Sequence, residues 1–179
     1  MISKMDAEYA DPVFATLALL ALGLAVMIVV TMFVAPLDGL RREFVRWALP
    51  LGFAVALVAA TGSLNYSENI GYTPCEFCWY QRIAMYPMVL LFGVAMIMRD
   101  KKVWLYTLPL SLIGAGLSTY HFQLQRWPDQ GSSCDVAAPC TFQWVDEFGF
   151  VSIPFMALCG FLLIAALSTA LWHDSRGVS

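Results

Sequence analysis

The chain has 179 residues, of which 60% are hydrophobic and only 13% are charged, whereas soluble domains average about 45–50% apolar and roughly 25% charged residues. This composition indicates a membrane protein, and the length suffices for one helical bundle without a separate soluble domain. The net charge of −3, with no basic stripe or glycine-rich phosphate loop, argues against a nucleic-acid-binding protein.

Five hydrophobic segments follow one another along the chain, and each approaches the ~20 residues that a helix needs to cross about 30 Å of hydrocarbon. We therefore predict an all-α membrane protein, a bundle of five transmembrane helices. The first segment lies between Pro12 and Pro36; it is longer than the ~7–15 apolar residues of a signal-peptide core and has an acidic flank, so we expect it to be retained. The predicted spans are residues 13–35, 48–64, 77–98, 103–122 and 150–172.

The basic residues predict the orientation of these spans. Lysine and arginine in short connecting loops mark the cytoplasmic side of a membrane. With five spans, the amino terminus is then expected outside and the carboxyl terminus in the cytoplasm, so that both cysteine pairs described below lie on the extracytoplasmic side. Seven of the ten basic residues fall on the predicted cytoplasmic side: Arg41, Arg42, Arg46, Arg99, Lys101, Lys102 and Arg176.

A first cysteine pair, Cys75 and Cys78, opens the third predicted span. Thr73 and Pro74 predict the helix start, as a hydroxyl N-cap followed by proline at the first helical position. Both thiols then fall in the first turn, where free backbone N–H groups and the helix dipole favour thiolate. Arg82 lies four residues after Cys78 on the same helix face. Its guanidinium would stabilise a thiolate or negative charge developing on an electron acceptor.

Other interpretations of these residues stay open. The pair Cys75 and Cys78 would be half of a zinc site if the second pair completed it, or it would be a purely structural disulfide. An oxidising outer face and the wider spacing of the second pair disfavour zinc, and we predict no metal site. Arg82 alone would be explained by snorkelling to the lipid headgroups. We favour redox chemistry because the thiol pair and the arginine occur together.

The second pair, Cys134 and Cys140, lies in a polar segment rich in turn-forming residues. We expect this segment to be irregular and mobile, so that the pair can meet an external thiol and then the first pair. The alternative is a loop staple, although a disulfide closing so short a loop stabilises little through chain entropy. Cys159 lies within the fifth predicted span, where a buried structural cysteine is the default interpretation.

His121 lies near the outer end of the fourth predicted span, with Gln123 and Gln125 close behind it. Polar groups at this depth are costly and often functional. A histidine here would hydrogen-bond a quinone carbonyl or relay protons, and simple interfacial solvation is the equally open alternative.

Four stretches of the chain together resemble a known family. They are PCEFCWYQR from Pro74 to Arg82, YHFQLQ from Tyr120, the pair Cys134-x5-Cys140, and WVDEFGFVSIP from Trp144. Between residues 47 and 172 they resemble the DsbB/BdbC disulfide-bond formation proteins, and the short spacing of the second pair is more similar to the BdbC branch.

This resemblance implies a membrane thiol oxidase of a bacterial inner (plasma) membrane. A reduced thioredoxin-fold partner, similar to DsbA, would attack a Cys134–Cys140 disulfide, and that pair would be reoxidised by exchange with Cys75–Cys78. The Cys75/Cys78 dithiol would pass two electrons to a quinone, either ubiquinone or menaquinone, with Arg82 and His121 at the quinone site. The resemblance also implies a four-span redox core at residues 47–179, preceded at residues 1–46 by an extra transmembrane helix and a cytoplasmic connector.

Two other functions are compatible with the sequence. One is a non-enzymatic membrane adaptor whose two disulfides only brace the outer loops. The other is a quinone reductase similar to the vitamin K epoxide reductases, which also have a C-x2-C pair in a helical bundle. The order of the motifs fits the DsbB-like pattern better.

Overall fold

The computed structural model describes residues 2–130, 134 and 138–176, and it describes the side chains of all of these except residues 2–7 and 35. Within this part of the chain there are five α-helices and no strand, apart from an isolated bridge between Glu147 and Val151. The predicted all-α class is confirmed. The helices are α1 (Ile2–Phe33), α2 (Asp38–Leu64), α3 (Glu76–Met98), α4 (Trp104–Arg126) and α5 (Ile153–Arg176).

Three helix starts differ from the sequence prediction. Helix α1 runs through Pro12, which was expected to bound it. Helix α2 begins at Asp38 instead of residue 48, because its charged first turns continue the helix beyond the apolar segment and Asp38 pairs with Arg41 one turn later. Helix α5 begins at Ile153 because residues 147–151 form a bridged turn, in which Phe148 and Gly149 have positive φ. The charged residues at the start of α2 therefore mark the limit of its apolar segment but not of the helix, which begins earlier.

Four helices are long and apolar enough to cross a membrane among the described residues: α1 from Glu8 onwards, α2 with the turn to Asn69, α3 and α5. Helix α4 has 23 residues but carries more polar side chains. It belongs to the same bundle, since it packs against α5 and α3. The fourth predicted span, at residues 103–122, thus remains a prediction.

One buried polar residue of α4 is paired with a residue of α5. The hydroxyl groups of Thr107 and Ser168 lie 2.7 Å apart and both residues are fully buried. At Gly114 the helices approach so closely that a Cβ would lie 2.2 Å from the Phe161 ring. Helix α5, contacted by α1, α2 and α4, forms the centre of the core.

Candidate functional site

The first cysteine pair lies at the amino-terminal end of α3, but Thr73 is not its cap. The N-cap is Cys75, whose Sγ accepts a hydrogen bond from the backbone N–H of Cys78 at 3.4 Å. The expectation of a hydroxyl cap followed by Pro74 in the helix was wrong, because a cysteine sulfur takes the capping position. Both thiols do lie in the first turn, and their Sγ atoms are 2.9 Å apart. A disulfide of about 2.03–2.05 Å needs little further approach.

His121 of α4 connects the two cysteine pairs. Its ring is 2% exposed, and its Nε2 lies 3.5 Å from the Cys75 Sγ and 3.2 Å from the backbone oxygen of Cys140. Its Nδ1 lies 3.3 Å from the side-chain nitrogen of Gln81. A carbonyl oxygen only accepts and an amide NH₂ only donates, so these partners fix the tautomer with the proton on Nε2. The imidazole is thereby held against both pairs at once.

The same neighbours favour the thiolate of Cys75, which lies just before the spanning part of α3. The hydrogen bond from the Cys78 thiol lowers the pKa of Cys75 most strongly. Burial opposes this effect, and the hydrogen bond from His121 adds to the lowering. The thiolate is the reactive form in disulfide exchange. Cys75 is therefore the activated sulfur of this pair.

The second pair forms a disulfide, Cys134–Cys140, next to the first pair. Cys140 is fully buried in one apolar cluster with Cys75 and Leu124, and Cys78 and Cys134 pack against that cluster. Four cysteine sulfurs are thus gathered in one place. Cys134 is only half-buried. We predicted that the segment around this pair is mobile. Its residues 131–133 and 135–137 lie outside the described residues, so this stays a prediction.

Arg82 is covered by protein. It is 8% exposed, its Nε and Nη2 donate to the Oγ and backbone oxygen of Ser63 at 2.9 Å each, and its guanidinium lies 5.0 Å from the centre of the Trp79 ring. These contacts hold the side chain between α2 and α3 and do not extend it towards headgroups, so they disfavour snorkelling. The cation also acts electrostatically on Cys78.

A cavity of about 390 Å³ adjoins Cys78 and Arg82. Its volume falls in the range of about 300–1,000 Å³ that is typical of small-molecule sites. Its walls are mostly apolar and come from α1, α2, α3 and α5, and Cys78, Gln81 and Arg82 contribute polar groups on one side. His121 is not among the lining residues and lies at the sulfur cluster. Of the two residues predicted to bind a quinone, Arg82 lines this cavity.

Two residues of the site had no assigned role in the sequence interpretation. Gln81 hydrogen-bonds His121 and lines the cavity, and Ser63 holds Arg82. A glutamine within an apolar span was a usable signal, because buried amides need partners. Ser63 gave no signal, since a serine near a helix end is common.

The donor atoms of Cys75, Cys78 and His121 all lie within 4.8 Å of one another, which is a spacing that allows a metal ion to bind. Structural zinc takes four ligands, and the nearby Cys140 is already bonded to Cys134. A Cys75–Cys78 disulfide and a bound metal exclude each other, so the absence of a metal remains our prediction.

Comparison with known proteins identifies the family. The family model described as disulfide bond formation protein DsbB matches residues 45–171, which is most of the chain. The chain belongs to the DsbB family. The expected resemblance is confirmed, and this DsbB-family protein is a multi-pass membrane protein with a thiol oxidase role in disulfide bond formation. Helix α1 precedes the matched range.

Curated relatives agree with this assignment. Probable disulfide formation protein C 1 of Bacillus cereus is 41% identical over 131 residues, which are 72% of this chain and 94% of the relative. Disulfide bond formation protein C of Bacillus subtilis is 46% identical over 63% of this chain and 83% of the relative. The probable disulfide formation protein of Oceanobacillus iheyensis is 49% identical over 63% and 79%. No solved structure matches this DsbB-family protein significantly.

Proposed function

We propose that the chain is a quinone-dependent thiol oxidase of a bacterial plasma membrane, which reoxidises a DsbA-like thioredoxin-fold partner. The observation that supports this most directly is the single cluster of four cysteine sulfurs, one of which, Cys78, also lines a ligand-sized cavity. Two disulfides that only brace separate loops would not need to lie together in one cluster.

The first exchange takes place at Cys134. Because Cys134 is half-buried and Cys140 is fully buried, a partner thiolate reaches only the Cys134 sulfur. The attack breaks the Cys134–Cys140 bond and forms a partner–Cys134 disulfide, with Cys140 as the leaving thiolate. The second partner thiolate then attacks the partner's own sulfur, which releases oxidised partner and leaves Cys134 and Cys140 reduced.

The second exchange takes place within the sulfur cluster. The Cys140 thiolate attacks the Cys78 sulfur of an oxidised Cys75–Cys78 pair, which forms a Cys140–Cys78 disulfide and releases Cys75 as a thiolate. Cys134 then attacks the Cys140 sulfur and releases Cys78. The loop disulfide is restored, and Cys75 and Cys78 carry the two electrons and two protons as thiols. The hydrogen bond from His121, which favours the Cys75 thiolate, makes Cys75 the better leaving group, since a sulfur of lower pKa leaves faster.

The cavity residues fit a quinone as the acceptor. When bound, a quinone supplies an acceptor for two electrons and two protons, which the Cys75/Cys78 dithiol gives up as its disulfide forms. Gln81 and Arg82 offer hydrogen-bond donors on the side of Cys78, and the remaining walls suit an apolar ring and tail. The Arg82 cation stabilises negative charge at this position. His121 holds Cys75 and Cys140 in place for exchange.

The proposed orientation has the sulfur cluster on the extracytoplasmic side. The cluster is formed at the start of α3, near the end of α4 and in the connection to α5. At the opposite end of the bundle, Arg41 contacts His173 and Lys101 pairs with Asp174. Basic residues near short loops favour the cytoplasmic face for that end, so the cysteines lie where disulfides persist.

The test mixes the purified protein in lipid nanodiscs with a reduced DsbA-like protein and a short-chain quinone. Loss of partner thiols and reduction of quinone are both measured. We expect partner thiols to be lost in proportion to the quinone reduced, and we expect Cys78→Ser to abolish this loss. Cys159→Ser is the matched control, because Cys159 is buried in α5 and is not part of the sulfur cluster. Unchanged oxidation in Cys78→Ser would reject the relay. Quinone reduction by a small dithiol, without consumption of partner thiols, would favour the vitamin K epoxide reductase-like alternative, and no redox activity would favour the adaptor.

A further inference from the structure

The last two turns of α4 are hydrogen-bonded to the chain that follows the second cysteine pair. His121 and Gln125 are four residues apart, so their side chains lie on the same face of the helix. The Nε2 of His121 donates to the backbone oxygen of Cys140 at 3.2 Å, and the Nε2 of Gln125 donates to the backbone oxygen of Phe142 at 3.1 Å. Two side chains of one helix face thus hold backbone carbonyl groups on and just after Cys140.

Arg126, the last residue of α4, holds the same connection close to the start of α5. Its Nη2 donates to the backbone oxygen of Gly149 at 3.0 Å and lies 3.9 Å from the carboxylate of Asp146. The connection between Cys140 and α5 is therefore fixed to α4 at both of its ends. Because these bonds go to backbone oxygens, they fix the path of the chain whatever side chains the connection carries.

The two cysteines of the Cys134–Cys140 disulfide are held differently. Cys140 is fully buried and packs in one cluster with Leu124 of α4, whereas Cys134 is half-buried. On the side that precedes Cys134, α4 makes an exposed side-chain contact, from Gln123 to Gln130 at 3.0 Å. The bonds on either side of Phe142 do not depend on the disulfide. We therefore expect them to remain when a partner thiol breaks it.

We propose that Gln125 is a positioning residue for the second exchange: it acts with His121 to keep the Cys140 sulfur beside the first cysteine pair once the bond to Cys134 is broken. This inference rests on the proposed function. Gln125 acts through the backbone next to Cys140, where it holds the carbonyl group of Phe142. An attacking group that is held in place reacts as if it were present at a high concentration. The hydrogen bond of Gln125 therefore raises the effective concentration of the Cys140 thiolate.

The first measurement needs neither a partner nor a quinone. In full-length protein in nanodiscs, three cysteines are replaced by serine: Cys75, Cys134 and Cys159. The remaining two, Cys78 and Cys140, are equilibrated with glutathione. Each oxidised glutathione that forms the protein disulfide is converted to two reduced glutathione molecules. The glutathione ratio at half-oxidation then gives the effective concentration of one sulfur at the other.

In this background, Gln125→Met removes the amide donor and keeps the length of the side chain. We expect the effective concentration to fall about 2- to 13-fold, the equivalent of about 0.5–1.5 kcal/mol for one hydrogen bond. Gln125→Lys supplies an N–H donor again, and it should recover most of the lost effective concentration. An unchanged value in Gln125→Met, or a decrease that lysine does not reverse, would refute the role of the amide.

The matched control is Gln123→Met, the same substitution two residues earlier on α4. Its amide contacts the side chain of Gln130 and not the chain after Cys140. The effective concentration should therefore stay at the value of the background protein. Equal decreases in Gln123→Met and Gln125→Met would show that any change at the end of α4 has this effect, and the positioning role would be wrong.

The second measurement separates the two exchanges in protein that retains its cysteines. Fully oxidised protein without quinone should oxidise two equivalents of a reduced DsbA-like partner. The Cys134–Cys140 disulfide oxidises the first, and the second must wait until Cys75–Cys78 has restored that disulfide. Gln125→Met should leave the first phase at the wild-type rate and slow only the second. A first phase slowed as much as the second would indicate a general loss of structure and would count against the inference.

These outcomes separate the inference from the proposed function. If the wild type oxidises its partner with quinone while Gln125→Met matches it in both measurements, only the inference fails. If the wild type does not oxidise the partner at all, the proposed function fails, whatever the glutathione equilibrium gives.

Discussion

Replacement of His121 by leucine tests how the site activates Cys75. The substitution removes the Nε2–H that lies 3.5 Å from the Cys75 Sγ while keeping a side chain of moderate size. A hydrogen bond to a charged group is worth about 1.5–3 kcal/mol, and one pKa unit corresponds to about 1.36 kcal/mol. The pKa of Cys75 should therefore rise by about 1–2 units. The lower end is expected, because the same N–H is shared with the Cys140 carbonyl at 3.2 Å.

The assay is a pH titration of the ultraviolet absorbance of the thiolate. It is carried out in a Cys159→Ser background with the Cys134–Cys140 disulfide intact, so that only Cys75 and Cys78 contribute. Because the native environment lowers the pKa of Cys75, the thiolate is already present at neutral pH and disappears only as the solution is acidified. In His121→Leu the loss of thiolate should begin at higher pH.

His173→Leu is the matched control, since His173 contacts Arg41 at the end of the bundle opposite the sulfur cluster. Its titration should coincide with that of the background protein. A titration of His121→Leu that coincides with the background, or that moves to lower pH, would refute the conclusion that His121 stabilises the Cys75 thiolate. In that case its remaining role would be to hold the Cys140 backbone.

Three further predictions concern the exchange, the acceptor and the packing. Cys140→Ser should accumulate a mixed disulfide between the partner and Cys134, seen by mass spectrometry; an adduct through another cysteine would reverse the proposed order. Arg82→Gln should raise the KM for quinone about 10- to 150-fold in steady-state kinetics, because a hydrogen bond to a charged group is worth about 1.5–3 kcal/mol. An unchanged KM would mean that Arg82 contributes only to packing. Gly114→Ala should lower the free energy of unfolding by about 1–3 kcal/mol in thermal denaturation, because its Cβ would overlap a phenylalanine ring. Gly116→Ala, where a Cβ meets nothing within 4 Å, should not destabilise the protein, and equal stabilities of the two variants would contradict the packing.

Local patterns sufficed to predict the parts of the site that lie on one helix. Cys75, Cys78 and Arg82 are within eight residues of one another, so the spacing of a helix alone brings them together. Hydropathy was equally informative about the helical class, because the bilayer requires long apolar segments. The start of α2 at Asp38 was missed because hydropathy detects the apolar core of a helix and ignores its polar extension.

The parts of the site that depend on long-range packing were not predictable. The contact of His121 with the Cys140 backbone depends on how the connection after α4 folds back, and no periodicity encodes such a path. The Arg82–Ser63 contact depends on how α2 packs against α3. The cap formed by Cys75 shows a further limit, since cysteine is not among the residues preferred at helix starts.

The packing of α1 against α5 has a consequence for biogenesis. Helix α1 is synthesised before α2, α3, α4 and α5, and it contacts α5 directly. Contacts between distant parts of a chain form late, because a long loop must close first. Helix α1 therefore lacks its main neighbour until α5 has been synthesised. The cavity beside Cys78, which residues of α1 and α5 both line, cannot form before α5 has been inserted.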